Sequence, residues 1–264
     1  MIRFRLFAPS CMKPRSALLC LCLALASSLS GRADEVAAVI AKARAYVGKE
    51  ETLAALRSIH YVGTVRVIAE KPEEKPAPRR IEIIFQKPYQ QRIVVTGEKV
   101  SETTALDDYE AWQRVADPAD PSRWRFTLLR AEEIKRRRAN VWENLAFYRG
   151  IESRGGQVDD LGVVEVDGQQ CHKLVFTHDA DIVFNRYFSV ATGRLVLTEA
   201  GAGLTEKIRE EGELLAGGLR FSRRLRAVSA VEGREHVVVI DFDSITVNES
   251  FPASLFAVPS LPAK

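Results

Sequence analysis

The residues to test first for chemistry are the four histidines, His60, His172, His178 and His236. By strand parity His172 and His178 share one face, with Asp179 and Asp181 close by. A metal site needs three or four converging ligands. Here Leu174 and Phe176 separate the pair and at most two ligands approach, so no metal is expected. Cys171 adjoins His172, but adjacent strand residues point to opposite faces, so the thiol is expected to fill core space instead of acting as a nucleophile. Asp241 and Asp243 lie two residues apart on one strand face, a spacing that could serve paired acid/base work. They alternate with Val238, Ile240 and Phe242, so the acids are expected to face water. No G-x-S-x-G, P-loop or dinucleotide glycine pattern is present. The expectation is no catalytic residue, no cofactor and no enzyme; an exported hydrolase using Asp241 or Asp243 is the weakest reading.

The basic residues offer more. Lys135-Arg136-Arg137-Arg138 is either a solvated helix face or a docking patch for lipid or a partner. Arg220, Arg224 and Arg226 share a strand face, and Glu206 and Glu210 on the preceding strand are their expected cross-strand partners. Arg223 has the parity of Leu219, Phe221 and Leu225. A buried arginine needs a partner, so Arg223 is a candidate contact for a ligand headgroup. The 264-residue chain carries 38 Lys+Arg against 35 Asp+Glu, a net +3, which excludes a strongly basic nucleic-acid binder. Hydrophobic residues at 46% and charged residues at 28% describe a globular chain, not a disordered one.

Residues 1–33 hold Arg3, Arg5, Lys13, Arg15 and Arg32, no acid, and an apolar run from Ala17 to Ala26. This is the pattern of a signal peptide, with cleavage expected after Ala26 or Ala33, and Met1 or Met12 as the start. Cys11, Cys20 and Cys22 fall in this leader, so Cys171 alone remains and no intramolecular disulfide is expected. The expected location is periplasmic; a lipid anchor at Cys22 is not favoured.

Residues 34–264 read as one domain. Val36, Val39, Ile40, Ala43 and Val47 give helical spacing over 34–47, Gly48 breaks it, and a short helix covers 49–57. From Ile59 the period becomes two, and about twelve strands follow, most joined by hairpin turns such as Asp167-Gly168. A helix over 129–148 interrupts them, with Ile134, Val141, Leu145 and Tyr148 as its apolar stripe. The predicted fold is mainly β (α+β). It is a single curved, unclosed antiparallel barrel of about 11–12 strands, with N-terminal and mid-chain helices over its concave face. An apolar concave side must be filled by helices or by a hydrophobic guest. The candidate lining is Ile83, Phe85, Val94 and Trp112 from the first strands, Trp142 and Leu145 from the long helix, and Phe176, Phe184, Phe221, Leu225, Val238 and Ile240 from the later strands.

The order of elements resembles the LolA-like and LolB-like superfamily of outer-membrane lipoprotein-sorting proteins. Tyr46-Val47-Gly48-Lys49-Glu50 through Gly63-Thr64-Val65 is similar to that family's helix, glycine break, helix and first strand. Phe85-Gln86-Lys87-Pro88 followed by Arg92-Ile93-Val94 resembles its basic-proline turn. Asp107-Asp108-Tyr109-Glu110-Ala111-Trp112 resembles a turn usually written Asp-Gly, here without the glycine. Val247-Asn248 and Leu255-Phe256-Ala257-Val258-Pro259 resemble its closing signature. The resemblance implies a half-barrel with a helical lid, acyl chains of lipoproteins or lipids as ligands, and envelope transport or acceptor proteins as partners. It also implies a polar lid contact at Lys87, where lysine lacks the planar fork of arginine. A monomer is expected. The alternative is a non-enzymatic envelope-stress sensor or interaction subunit whose barrel is plugged by its own helices.

Overall fold

The computed structural model describes residues 34–68, 76–200, 205–231 and 233–260. The leader and its cleavage sites lie outside the described residues. Helix α1 spans residues 34–47 and α2 spans Glu50–Ala55. Val39, Ala43 and Val47 form the buried stripe of α1, and Leu53 is the buried residue of α2.

The strands run β1 (Ser58–Ile68), β2 (Arg79–Gln86), β3 (Gln90–Thr96), β4 (Ser101–Asp107), β5 (Glu110–Asp117) and β6 (Asp120–Leu128). Helix α3 (Ala131–Ala146) follows. Then come β7 (Gln157–Val166), β8 (Gln169–Asp179), β9 (Ile182–Ser189), β10 (Leu195–Ala200) and β11 (Glu206–Glu211). A short hairpin, β12 (Leu214–Ala216) and β13 (Leu219–Phe221), precedes β14 (Arg224–Val231) and β15 (Arg234–Val247).

All strands but β12 and β13 form one 13-stranded sheet, ordered β6-β5-β4-β3-β2-β1-β15-β14-β11-β10-β9-β8-β7. Every pairing is antiparallel, and the sheet does not close. Its two edges, β6 and β7, are consecutive in the chain. Helix α3 connects them and packs on β2, β3 and β4.

Two elements differ from expectation. The sequence places the end of the first strand block at Asp117-Pro118-Ala119-Asp120-Pro121, but the chain continues into strand β6. An edge strand accepts proline and outward charge. By alternation Thr205 to Leu214 and Leu219 to Ala227 each read as one strand; the structure divides the first into β11 and β12 and the second into β13 and β14, where the hairpin leaves the sheet.

Where β1 crosses β15, the register shifts between Val62 and Gly63. A Cβ at Gly63 would lie 2.2 Å from the Asp241 carbonyl oxygen, so no other residue fits this bulge without moving backbone.

The closing segment packs on the convex side. Asn248 Oδ1 accepts the Arg57 amide at 2.7 Å, and the Trp112 indole donates to the Phe256 and Ala257 carbonyls at 2.9 and 3.0 Å. Phe256 is fully buried there.

The three helices meet at Arg44 of α1. Its guanidinium donates to the Ala146 and Phe147 carbonyls at 2.7 and 2.8 Å and grips Glu50 at 2.8 and 3.0 Å. Those carbonyls end α3, where Phe147 and Tyr148 take left-handed φ of 46° and 72°. Charged hydrogen bonds of this kind contribute about 1.5–3 kcal/mol each. Arg44→Met is expected to lower stability by about 3 kcal/mol, read as a shifted urea midpoint, and Arg44→Lys to recover little because it lacks the fork. An unchanged midpoint would show that the apolar seams alone hold the helices.

Candidate functional site

Alternation on the curved sheet turns one side chain in two toward the helices. Ile59, Tyr61, Phe85, Phe176, Phe188, Phe221, Phe242 and Ile245 form the concave core with α1 and α3. Between this sheet face and α3 lies a cavity of about 600 Å³, within the usual range for a small-ligand pocket. Aromatic rings stand edge to face around it: Tyr61 lies 6.2 Å from Phe85 and 5.9 Å from Phe221. A second groove of about 1570 Å³ runs along α1 beside β7 and the β12–β13 hairpin.

Ile83, Phe85, Phe184, Phe221 and Leu225 line the smaller cavity. Leu145 and Phe176 are buried in the core behind it, and Trp142 and Ile240 pack partly buried against that core. Val238 has the parity of Ile240 but lies outside this core, paired with Val67 and Ala227.

Val94 and Trp112 have the opposite parity to Ile83 and Phe85 across the register. Val94 pairs with Glu82, and Trp112 carries the closing segment on the convex side. Sequence alternation defines two faces but not which one curves inward, and here the outer face is apolar as well.

Lys87 is half-buried at the β2–β3 turn, and its ammonium pKa lies below the usual lysine range through burial and the nearby Arg57 and Arg44 charges. Arg223 is exposed, in the link between β13 and β14 that interrupts the parity with Phe221.

Sequence reading missed the polar centre of the cavity. Glu143 of α3, its side chain 0% exposed, forms an ion pair with Arg186 of β9 at 2.7 Å and bonds the His178 ring at 2.6 Å. Arg186 also lies over the rings of Tyr148 and Phe184, at 5.2 and 5.8 Å. The register corrects a second expectation. Glu211, not Glu210, stands opposite Arg224, and Glu210 turns into the cavity beside Leu225, accepting from Ser222 at 2.5 Å. A signal existed: Arg186 interrupts the apolar parity of Ile182, Phe184 and Phe188, and Glu210 has the parity of Ile208.

The Lys135–Arg138 run is largely absorbed by the molecule. Arg138 pairs with Asp108 and lies over the rings of Tyr89 and Tyr109 at 4.0 and 3.9 Å. Arg137 reaches Gln91 at 3.3 Å, and Lys135 pairs with Asp179. Arg136 lines the cavity mouth and is exposed. Asp241 is held by Arg66 and Arg224, as expected of an acid outside the core. Cys171 is buried in a small outer cluster with Tyr187 and Val196, and burial raises its thiol pKa.

Burial likewise lifts the Glu210 carboxyl above the usual range, against the lowering pull of Ser222, Arg186 and Arg194. The folded protein therefore keeps this proton at pH values where the unfolded chain has lost it. Stability from this group is fully present below the ordinary glutamate value, about 4.3, and falls as pH rises toward the raised one. Glu210→Gln is expected to match wild type near pH 4 and to melt at higher temperature near pH 8, by differential scanning calorimetry. Parallel pH profiles for the two proteins would contradict this.

No protein-family model and no curated protein matches the chain in sequence. Solved structures match it in fold. A LolA superfamily protein from Nitrosomonas europaea superposes with a TM-score of 0.53 at 13% identity, covering 80% of this chain and 98% of that one. The fold is LolA-like. A DUF1329 family protein from Desulfovibrio piger gives 0.55 at 10% identity, over 84% and 97% of the two chains. A domain from Vibrio parahaemolyticus, described as an outer membrane lipoprotein-sorting protein domain, gives 0.52 at 9%, over 83% and 94%.

Within this LolA-like sheet the short motifs have structural jobs. Asp108, at the position usually glycine, adopts a φ of 52°, which aspartate tolerates. Asn248 and Phe256 fasten the closing segment to the convex face.

Proposed function

We propose that the protein is a non-enzymatic periplasmic carrier that holds acyl chains of lipoproteins or lipids in its half-barrel, in outer-membrane lipoprotein sorting. The observation that carries this reading is the cavity of about 600 Å³ between the concave sheet and α3, walled by Ile83, Phe85, Phe184, Phe221 and Leu225. Burying one methylene there contributes about 0.8 kcal/mol, so a long chain binds without covalent chemistry. The LolA-like fold and the signal-peptide pattern of residues 1–33 support an envelope role. The mouth-lining Arg136 and Glu133 of α3 and Arg220 of β13 offer polar contacts to what remains outside.

The exported protein should quench or shift a dansylated long-chain fatty acid, and an acylated lipopeptide should displace it stoichiometrically. A deacylated peptide should not. Equal displacement by both peptides, or none by either, would reject the carrier reading.

A further inference from the structure

Away from the cavity, three remote elements converge on one point. Glu35 stands in the first turn of α1, Asp160 on β7 and His172 on β8. One ligand atom from each lies within 4.8 Å of the others. The spacing of His172 and His178 along β8, with Leu174 and Phe176 between them, argued against a metal; here the third group comes instead from Glu35 on a helix remote in sequence.

The surroundings of Asp160 are unusual. Its side chain is 7% exposed, so it is more than nine-tenths buried. Oδ1 accepts the Gly162 amide at 2.6 Å, but Oδ2 is buried with no hydrogen-bond partner. His172 Nδ1 faces it at 3.9 Å, also buried and also without a hydrogen-bond partner. Among the described residues no lysine or arginine lies within ion-pair reach of Asp160. A buried carboxylate oxygen and a buried imidazole nitrogen that face each other without a hydrogen bond are costly, and a cation between them relieves that cost. Glu35 supplies a third donor from the solvent side.

We propose that Glu35, Asp160 and His172 bind a divalent first-row transition ion such as Zn²⁺. One imidazole nitrogen with two carboxylates suits this class, and the nitrogen donor disfavours Mg²⁺ and Ca²⁺. Three protein ligands leave a position for water, and Asp160 lines the α1–β7 groove, which gives the ion an entry path. The ion ties the start of α1 to the β7 edge of the sheet. Val36 and Ile40 of that helix pack on the concave core, so the metal fixes the helix that borders the ligand space. The site does not depend on what fills the cavity.

The test is titration of chelator-treated, full-length exported protein with ZnCl₂, by calorimetry and thermal melting. One Zn²⁺ per chain should bind, with a rise in melting temperature, and Co²⁺ should give a visible absorption band. Glu35→Gln and His172→Gln should each weaken Zn²⁺ at least tenfold. Asp160→Asn should abolish binding and melt no lower than wild type without metal, since it removes a buried charge that no lysine or arginine balances. If Asp160→Asn fails to fold, the exposed Glu35→Gln decides. No saturable Zn²⁺ binding, equal binding in Glu35→Gln and His172→Gln, or a preference for Mg²⁺ or Ca²⁺ would overturn the proposal.

Discussion

Arg186→Met is expected to destabilise the protein by about 3–5 kcal/mol. The variant leaves the Glu143 carboxylate, 0% exposed, without the guanidinium 2.7 Å away. His178 remains at 2.6 Å but cannot supply the lost contacts over Tyr148 and Phe184. For a domain of this size about 1 kcal/mol shifts the melting temperature by 2–4 °C, so calorimetry reads the effect easily. The double variant Glu143→Leu with Arg186→Met should recover most of the loss, because removing both charges also removes their desolvation cost. A small effect of the single variant, or a double variant worse than either single one, would show that water reaches this pair and that the cavity centre is not dry.

Leu225→Trp is expected to lower acyl uptake at least tenfold with little change in stability. Leu225 is a half-buried wall of the cavity beside Glu210, so a larger ring has space to enter. Displacing two methylenes from that wall removes about 1.6 kcal/mol, more than a tenfold change in affinity. Trp112→Phe, on the convex face, is the control. It removes the indole bonds to the Phe256 and Ala257 carbonyls and should lower stability while leaving the affinity of the folded fraction intact. Uptake that falls with Trp112 and not with Leu225 would place the ligand on the wrong side of the sheet for this account.

Much of the fold is legible in the residues. The switch from helical to two-residue period at Ile59 and the turn at Asp167-Gly168 are local signals, and hairpins convert local signals into sheet order. Strand β6 was not legible because its arginines and proline suit an edge, and which strand is an edge is a property of the whole sheet. Val94 and Trp112 show the same limit for the site. Period two separates two faces, but the side that curves inward follows from where α3 crosses between β6 and β7. Arg186 and Glu210 were readable as charges on an apolar parity. The same argument raised for Arg223 failed there because the chain leaves the sheet between Phe221 and Arg224. Glu35, Asp160 and His172 carry no sequence spacing that joins them; tertiary packing of α1 does so.

The most direct measurement is native mass spectrometry, with lipid extraction, on the processed protein recovered from the periplasm. The account predicts a co-purifying acyl species that denaturation releases and that Leu225→Trp protein lacks. A bare mass at full occupancy, with no uptake of added lipid or acylated peptide, would contradict it and leave the self-plugged interaction subunit, with α3 and its Glu143–Arg186 pair as the plug.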